Sequence, residues 1–295
     1  MHAVQPSFPL LRTTLAATAI LYFGLAGVTP ASAAMNDLRV DQLESLELSE
    51  RQAAFDWVIR ELAVTLAAPP THSVASLGMF EFELSTDHRI TFVHDATGLG
   101  SSPWSTLTEG GEASAVQYIP RVVVRKGLPY SFEVGGNLGW LAASRQFVVG
   151  GYGRWAVLDG WTKVPDAAIQ LSYDGYVGND QLELGVFQLA VSVGYTFETR
   201  SALSSSGSRF SPFVGYGLLM AHAAPLSDTE GLGPVTAWAN EAAAGVDPRE
   251  FRFHRFFGGM QIRNGQVQFR IAADVNGPKD GPLVAGVNVS IGARF

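Results

Sequence analysis

The chain has 295 residues, no cysteine, 32 glycines and a formal net charge of -7, with 47% hydrophobic and only 16% charged residues. The missing cysteines exclude a disulfide-built scaffold, and the low charge argues against a disordered polar chain. The acidic balance argues against nucleic-acid binding, which needs a positive surface to replace phosphate counterions.

His2 and Arg12 precede an apolar stretch from about Thr13 to Val28, and Thr29-Pro30-Ala31-Ser32-Ala33 follows it. A basic start, an apolar middle and an Ala-x-Ala exit predict a secretory signal peptide over residues 1–33. The apolar run of roughly 16 residues is short against the ~20 of a spanning helix. No cysteine follows the cleavage point, so anchoring through an acylated cysteine is excluded. No later stretch reaches the ~18 uninterrupted apolar residues of a membrane helix.

Residues 34–73 form a second region, predicted to be a short periplasmic helical segment. Ser49-Glu50-Arg51-Gln52 matches a capping box. Phe55, Ile59, Leu62 and Leu66 follow at helical spacing, and Pro69-Pro70 ends the run. Such a helix packs on the body of the protein or on itself; the sharper alternative is a periplasmic plug or a partner-binding helix.

From Val74 to Phe295 the period changes from 3.6 to 2. Ten strands are predicted, at about 79–94, 115–126, 129–140, 145–157, 166–176, 181–197, 209–221, 251–263, 266–276 and 283–295. In the last of them Leu283, Ala285, Val287, Val289, Ile291, Ala293 and Phe295 share one face, against Val284, Gly286, Asn288, Ser290, Gly292 and Arg294. Strand 266–276 sets Val267, Phe269, Ile271, Ala273 and Val275 against Gln268, Arg270 and Asp274. Strand 129–140 sets Tyr130, Phe132, Val134, Leu138 and Trp140 against Ser131, Glu133, Asn137 and Gly139.

An oily face of this kind meets either a protein core or lipid. Three features favour lipid. The strands approach the ~9–11 residues of a tilted membrane strand rather than the usual ~5–6. Tyr130, Trp140, Trp155, Tyr173, Tyr195, Phe197, Phe269 and Phe295 lie on the oily face and mostly near strand ends, where amphipathic rings form girdles. If the last strand ends in the periplasm, the connections 127–128, 158–165, 198–208 and 264–265 fall inside. The longer ones, 95–114 and 222–250, fall outside with 141–144, 177–180 and 277–282. The expected fold is therefore an all-β, antiparallel up-and-down transmembrane barrel of about ten strands (8–12) over residues 74–295, with a short N-terminal helix.

The chain stops at Val287-Asn288-Val289-Ser290-Ile291-Gly292-Ala293-Arg294-Phe295. This resembles the C-terminal strand of bacterial outer-membrane β-barrels, which ends in an aromatic on the lipid face. Ile119-Pro120-Arg121-Val122-Val123-Val124-Arg125-Lys126-Gly127-Leu128-Pro129 is likewise similar to a segment of uncharacterised proteobacterial outer-membrane proteins. The resemblance implies an outer-membrane location, recognition of Phe295 by the barrel-assembly machinery, and contact with outer-membrane lipids. It implies no activity, and the oligomeric state stays open.

Arg121, Arg125, Glu133, Arg154, Asp174, Arg270, Asp274 and Arg294 are predicted to line the interior, with Arg263 and several glutamines. A narrow barrel fills its interior with side chains, and buried charges must pair. The lining is therefore read as a salt-bridged plug or, since Arg outnumbers carboxylate, as an anion-selecting wall. The protein is expected to be structural or a narrow channel for small polar solutes. The alternative is a lipid-modifying enzyme using His94 or His222 near the rim, with Ser101, Ser102 and Ser105 in the same loop as His94. No metal or other cofactor is expected, because the histidines lack ligand spacing. Gly135-Gly136 and Gly150-Gly151-Tyr152-Gly153 lie within strands, where glycine permits curvature and close approach of aromatics. Loop 222–250, with Trp238 and an Ala-rich stretch at 237–245, is expected to form a short helix or lid.

Overall fold

A computed structural model describes residues 37–94, 102–109, 114–142, 144–160, 164–199, 208–226, 245–278 and 282–295. The predicted signal peptide lies outside these residues, as does nearly all of the expected helix or lid around Trp238.

The strands are β1 (Phe82–Phe92), β2 (Val116–Gly127), β3 (Phe132–Trp140), β4 (Phe147–Leu158), β5 (Asp166–Val177), β6 (Leu182–Gly194), β7 (Phe197–Thr199), β8 (Ser208–Pro225), β9 (Arg249–Asn264), β10 (Val267–Pro278) and β11 (Val284–Arg294). Each long strand pairs antiparallel with its chain neighbour. β6 bridges directly to β8 and β8 to β9, while the short β7 only extends the edge of β8. The first strand pairs with the last, from Glu83 opposite Arg294 to Phe92 opposite Ala285. The ten long strands therefore close a barrel and leave no open edge. The bulge between Ala156 and Leu158 is the one register shift in the described ladders.

The two ends differ. The end that carries Phe295, here the proximal end, has the tightest turns; Gly265 takes the positive φ of 59° that a two-residue Asn-Gly hairpin requires. The distal end carries the longer connections.

Helix α1 (Leu48–Leu66) and the short helix α2 (Pro103–Leu107) both lie at the distal end. α1 begins two residues ahead of the anticipated capping box. Glu47 is the N-cap, with no side-chain cap bond, so Ser49 falls within the first turn. Its other end comes where expected: Ala67 is extended, and Pro69-Pro70 cannot continue the helix.

The helix expected to pack on the body of the protein or on itself, with a plug as the alternative, lies inside the barrel. Phe55, Val58, Ile59, Leu62 and Leu66 of α1 are fully buried among Ile119, Val148, Leu184, Leu219, Phe253 and Val284. Those partners are the inward-facing residues of the distal halves of β2, β4, β6, β8, β9 and β11. The helix thus fills the distal mouth as a core fills a shell. The reason lies in the period: an apolar stripe states that a helix must bury one side, not which surface receives it. From Ala67 to Leu77 the chain runs on as an irregular thread down the bore. It emerges at Gly78–Glu81 on the proximal side and enters β1 at Phe82, three residues after the start expected for the first strand.

Candidate functional site, the filled bore

The interior has two zones. The distal zone is the apolar seat of α1. The proximal zone is a belt of buried charge that holds the thread.

The belt is built from the inward face of each strand. Arg89, Arg121, Arg125, Arg154, Arg255 and Arg270 are buried, as are Glu83, Asp87, Glu133, Asp174 and Asp274. Arg294 sits half-buried at the proximal rim beside Glu81. Two networks link the strands. In one, Arg154 pairs with Glu133 at 3.0 Å and Glu133 lies 3.6 Å from Arg125. Arg125 bonds Glu83, and Arg270 reaches Glu83 at 3.0 Å and Asp87 at 3.6 Å. In the other, Asp274 takes Arg89 at 2.8 Å and Arg255 at 3.5 Å. Arg255 also donates to Asn276 and to Gln188, each at 2.7 Å, which ties β9 to β10 and β6. Buried charge is tolerated here because nearly every one has an opposite partner.

The thread completes these networks. The last carbonyls of a helix have no partner within it and form the negative end of its dipole. Three arginines take them here. Arg89 donates to Val64 at 3.1 Å, and Arg255 donates to Val64 and Ala67, each at 3.2 Å. Arg121 donates to Thr65 at 3.3 Å and to Leu66. Further down, Arg154 donates to Ser73 at 2.6 Å and Val74 at 2.5 Å, and Arg294 to Ser76 at 3.3 Å. Arg270 donates to Nδ1 of His72, whose ring stacks 5.7 Å from that of Tyr152. In return the thread's amides donate to the wall: Ala68 to Asp174 at 3.0 Å, Ser73 to Gln261 at 3.1 Å, and Leu77 to Glu133.

The distal end holds the segment as well. Arg145 donates its backbone N–H to Asp37 at 2.6 Å, and Leu38 forms a bridge with Thr108. Asn179 donates to the Leu38 carbonyl at 2.9 Å, and Asp247 donates to Gln52 at 2.9 Å. Trp57 donates its indole N–H to the carbonyl of His94 at 3.0 Å. Glu61, buried in the mouth, accepts from Trp104 Nε1 at 2.5 Å and from the His94 backbone at 2.9 Å.

Of the eight residues predicted for the lining, Arg121, Arg125, Glu133, Arg154, Asp174, Arg270 and Asp274 are buried within the wall, and Arg294 lies half-buried at the proximal rim. Reading the sequence missed Arg89, Arg255, Glu83 and Asp87. The first, third and fourth were legible: Glu83, Ser85, Asp87, Arg89 and Thr91 alternate strictly on β1. Arg255 shares its inward face with Phe251, Phe253 and Phe257, so that face lacks the polar alternation that marks the lining elsewhere.

The rim histidines do not assemble a nucleophile site among the described residues. Nδ1 of His94 lies 3.2 Å from Glu61, while the Ser105 hydroxyl donates to the Ser102 carbonyl. His222 faces outward on β8. Asp95 and Ser101 lie outside the described residues. No cluster of metal-ligating groups occurs among the described residues.

The exterior decides what surrounds the barrel. Val122, Val134, Leu138, Val149, Leu171, Val191, Val214 and Val275 are among the many large apolar side chains that project outward, each 40% exposed or more. An exterior this oily cannot face water. At the proximal end Phe82, Phe295, Phe132, Trp155, Phe197 and Phe210 form a ring, with Phe132 and Trp155 stacked at 5.4 Å. Phe92 and Phe147 project at the distal end. From Phe82 to Phe92 the strand advances ~33 Å, and a tilt near 40° makes that about 25 Å of height, the apolar band of a membrane barrel.

The fold is that of an outer-membrane β-barrel.

No protein-family model matches the sequence, and no curated protein matches it. Solved structures similar to it include the N-terminal barrel domain of Pseudomonas aeruginosa OprF, at 11% identity and a TM-score of 0.32, over 74% of this chain and 100% of that one. The attachment invasion locus protein Ail of Yersinia pestis is similar at 10% identity and a TM-score of 0.26, over 74% of this chain and 99% of that one. Omp33 of Acinetobacter baumannii is similar at 9% identity and a TM-score of 0.25, over 73% and 98%.

Proposed function

We propose that this outer-membrane barrel is held shut by its own N-terminal segment and has a structural role in the envelope. One observation carries the reading: the backbone of residues 64–77 is hydrogen-bonded to side chains of β1 to β5, β9 and β11, and the His72 side chain to Arg270 of β10, so the segment stands across the bore. The narrow-channel reading then applies only to a form from which the segment has been withdrawn.

The proximal end faces the periplasm in this proposal. Its tight turns and the position of Phe295 support that orientation. The helix then stands at the outer mouth, not in the periplasm, and the thread leads inward from it. Outer-membrane lipids contact the apolar wall, and the barrel-assembly machinery recognises β11 with its terminal Phe295.

The test is single-channel recording of the purified full-length protein in a planar bilayer. The expected record is silent. A steady open conductance from the intact chain would overturn the closed reading.

A further inference from the structure

The bonds between wall and thread are lopsided. Arginine side chains give eight to the segment's carbonyl oxygens, at Val64 (twice), Thr65, Leu66, Ala67, Ser73, Val74 and Ser76. Among the described residues the wall's carboxylates receive two from its amides, from Ala68 and Leu77. Arg121 is the extreme case. Its guanidinium is buried, it donates to two helix carbonyls, and it makes no ion pair with a carboxylate among the described residues.

The thread therefore supplies negative oxygen to guanidiniums that the wall leaves short of it. The space it occupies is continuous: a helix wide at the distal mouth, one extended chain wide below. We infer that residues 37–77 are a stopper in an anion-selective bore, and that small anions take the place of its carbonyl oxygens when it leaves. A selectivity lining built from arginine favours anions in this way. The inference rests on the closed reading, since a stopper presupposes a shut barrel.

The experiment uses the whole chain, folded and then cut. A specific protease site is inserted between Met79 and Phe80, which lie exposed where the thread meets β1. The protein is assembled, recorded in a bilayer under a potassium chloride gradient, cut, and recorded again while urea draws out the freed segment. Mass spectrometry follows the segment, and the mobility of the unheated protein on a gel follows the barrel.

The expected result is silence before the cut and conductance after withdrawal, with the reversal potential shifted toward chloride. Arg121→Gln with Arg154→Gln in the cut protein reduces that shift. Three results overturn the inference: a cut segment that stays bound through the urea series, an emptied barrel that remains silent, or one that prefers potassium. Conductance from the uncut chain instead overturns the closed reading, so the two failures are distinguishable.

Discussion

Trp104 donates its indole N–H to the carboxylate of Glu61 at 2.5 Å, and so fastens the connection after β1 to the helix that fills the distal mouth. Burial raises the Glu61 carboxyl above its ordinary value of 4.5, against the opposing effect of the bonds from Trp104 and His94. The folded state then binds the proton more tightly than the unfolded one, so the contribution is complete below pH 4.5 and declines as pH rises through the folded value. Hydrogen exchange at α1 is expected to quicken as pH rises above 4.5 and through the raised folded value, after correction for intrinsic exchange. Glu61→Gln, neutral throughout, flattens that dependence; an unchanged slope in the variant would exclude Glu61 as its source.

Gly127 closes β2 where the thread leaves the bore. A Cβ there would run into the backbone carbonyl oxygens of Gly78 and Leu77. Backbone cannot yield as a flexible side chain does. Gly127→Ala is expected to lower stability by about 1–3 kcal/mol, the usual range for overpacking. Urea unfolding in detergent reads it, and an unchanged midpoint would mean that the thread moves aside freely. Gly136→Ala is the control, because its Cβ would meet nothing nearer than 3.6 Å.

Leu62 is fully buried between α1 and the distal wall. Leu62→Ala removes its transfer energy and leaves a cavity, at about 2–5 kcal/mol. The loss should fall on the seating of the helix before the barrel wall. Proteolysis of residues 37–66 is expected to accelerate while the unheated gel mobility of the barrel is kept. Concerted loss of both would show that helix and wall form one cooperative unit.

The absence of cysteine permits a clean test of orientation. Glu44→Cys places a thiol at the exposed distal surface, and Tyr130→Cys places one at a proximal turn where the native side chain is 88% exposed. A membrane-impermeant maleimide is expected to label the first on intact cells and the second only after permeabilisation. The reverse pattern would invert the orientation proposed above.

Phe295 and Phe82 exchange both backbone hydrogen bonds, at 2.8 and 3.0 Å, where the last strand meets the first. Phe295→Ala keeps those bonds and removes the ring from the proximal girdle. The expected outcome is a fall in the heat-modifiable, membrane-inserted fraction. Wild-type levels would show that the terminal ring is dispensable for assembly.

The sequence by itself determined the ten long strands and the two faces of each, with ends displaced by a few residues. Alternation along a strand is local, so Val287, Ile291 and Phe295 on one side and Asn288, Ser290 and Arg294 on the other required no knowledge of neighbours. The terminal Pro69-Pro70 stop and the Asn264-Gly265 turn were legible for the same reason. Only the tertiary structure decided what fills the barrel. The stripe of Phe55, Ile59, Leu62 and Leu66 calls for an apolar partner, yet that partner exists only after ten strands close and bring Ile119, Leu184, Phe253 and Val284 to one mouth. Likewise Arg121, Arg255 and Arg89 lie far apart in the chain, and their common target is the end of a helix. Which carbonyl an arginine meets is fixed by closure of the ring, a long-range event that no local period records.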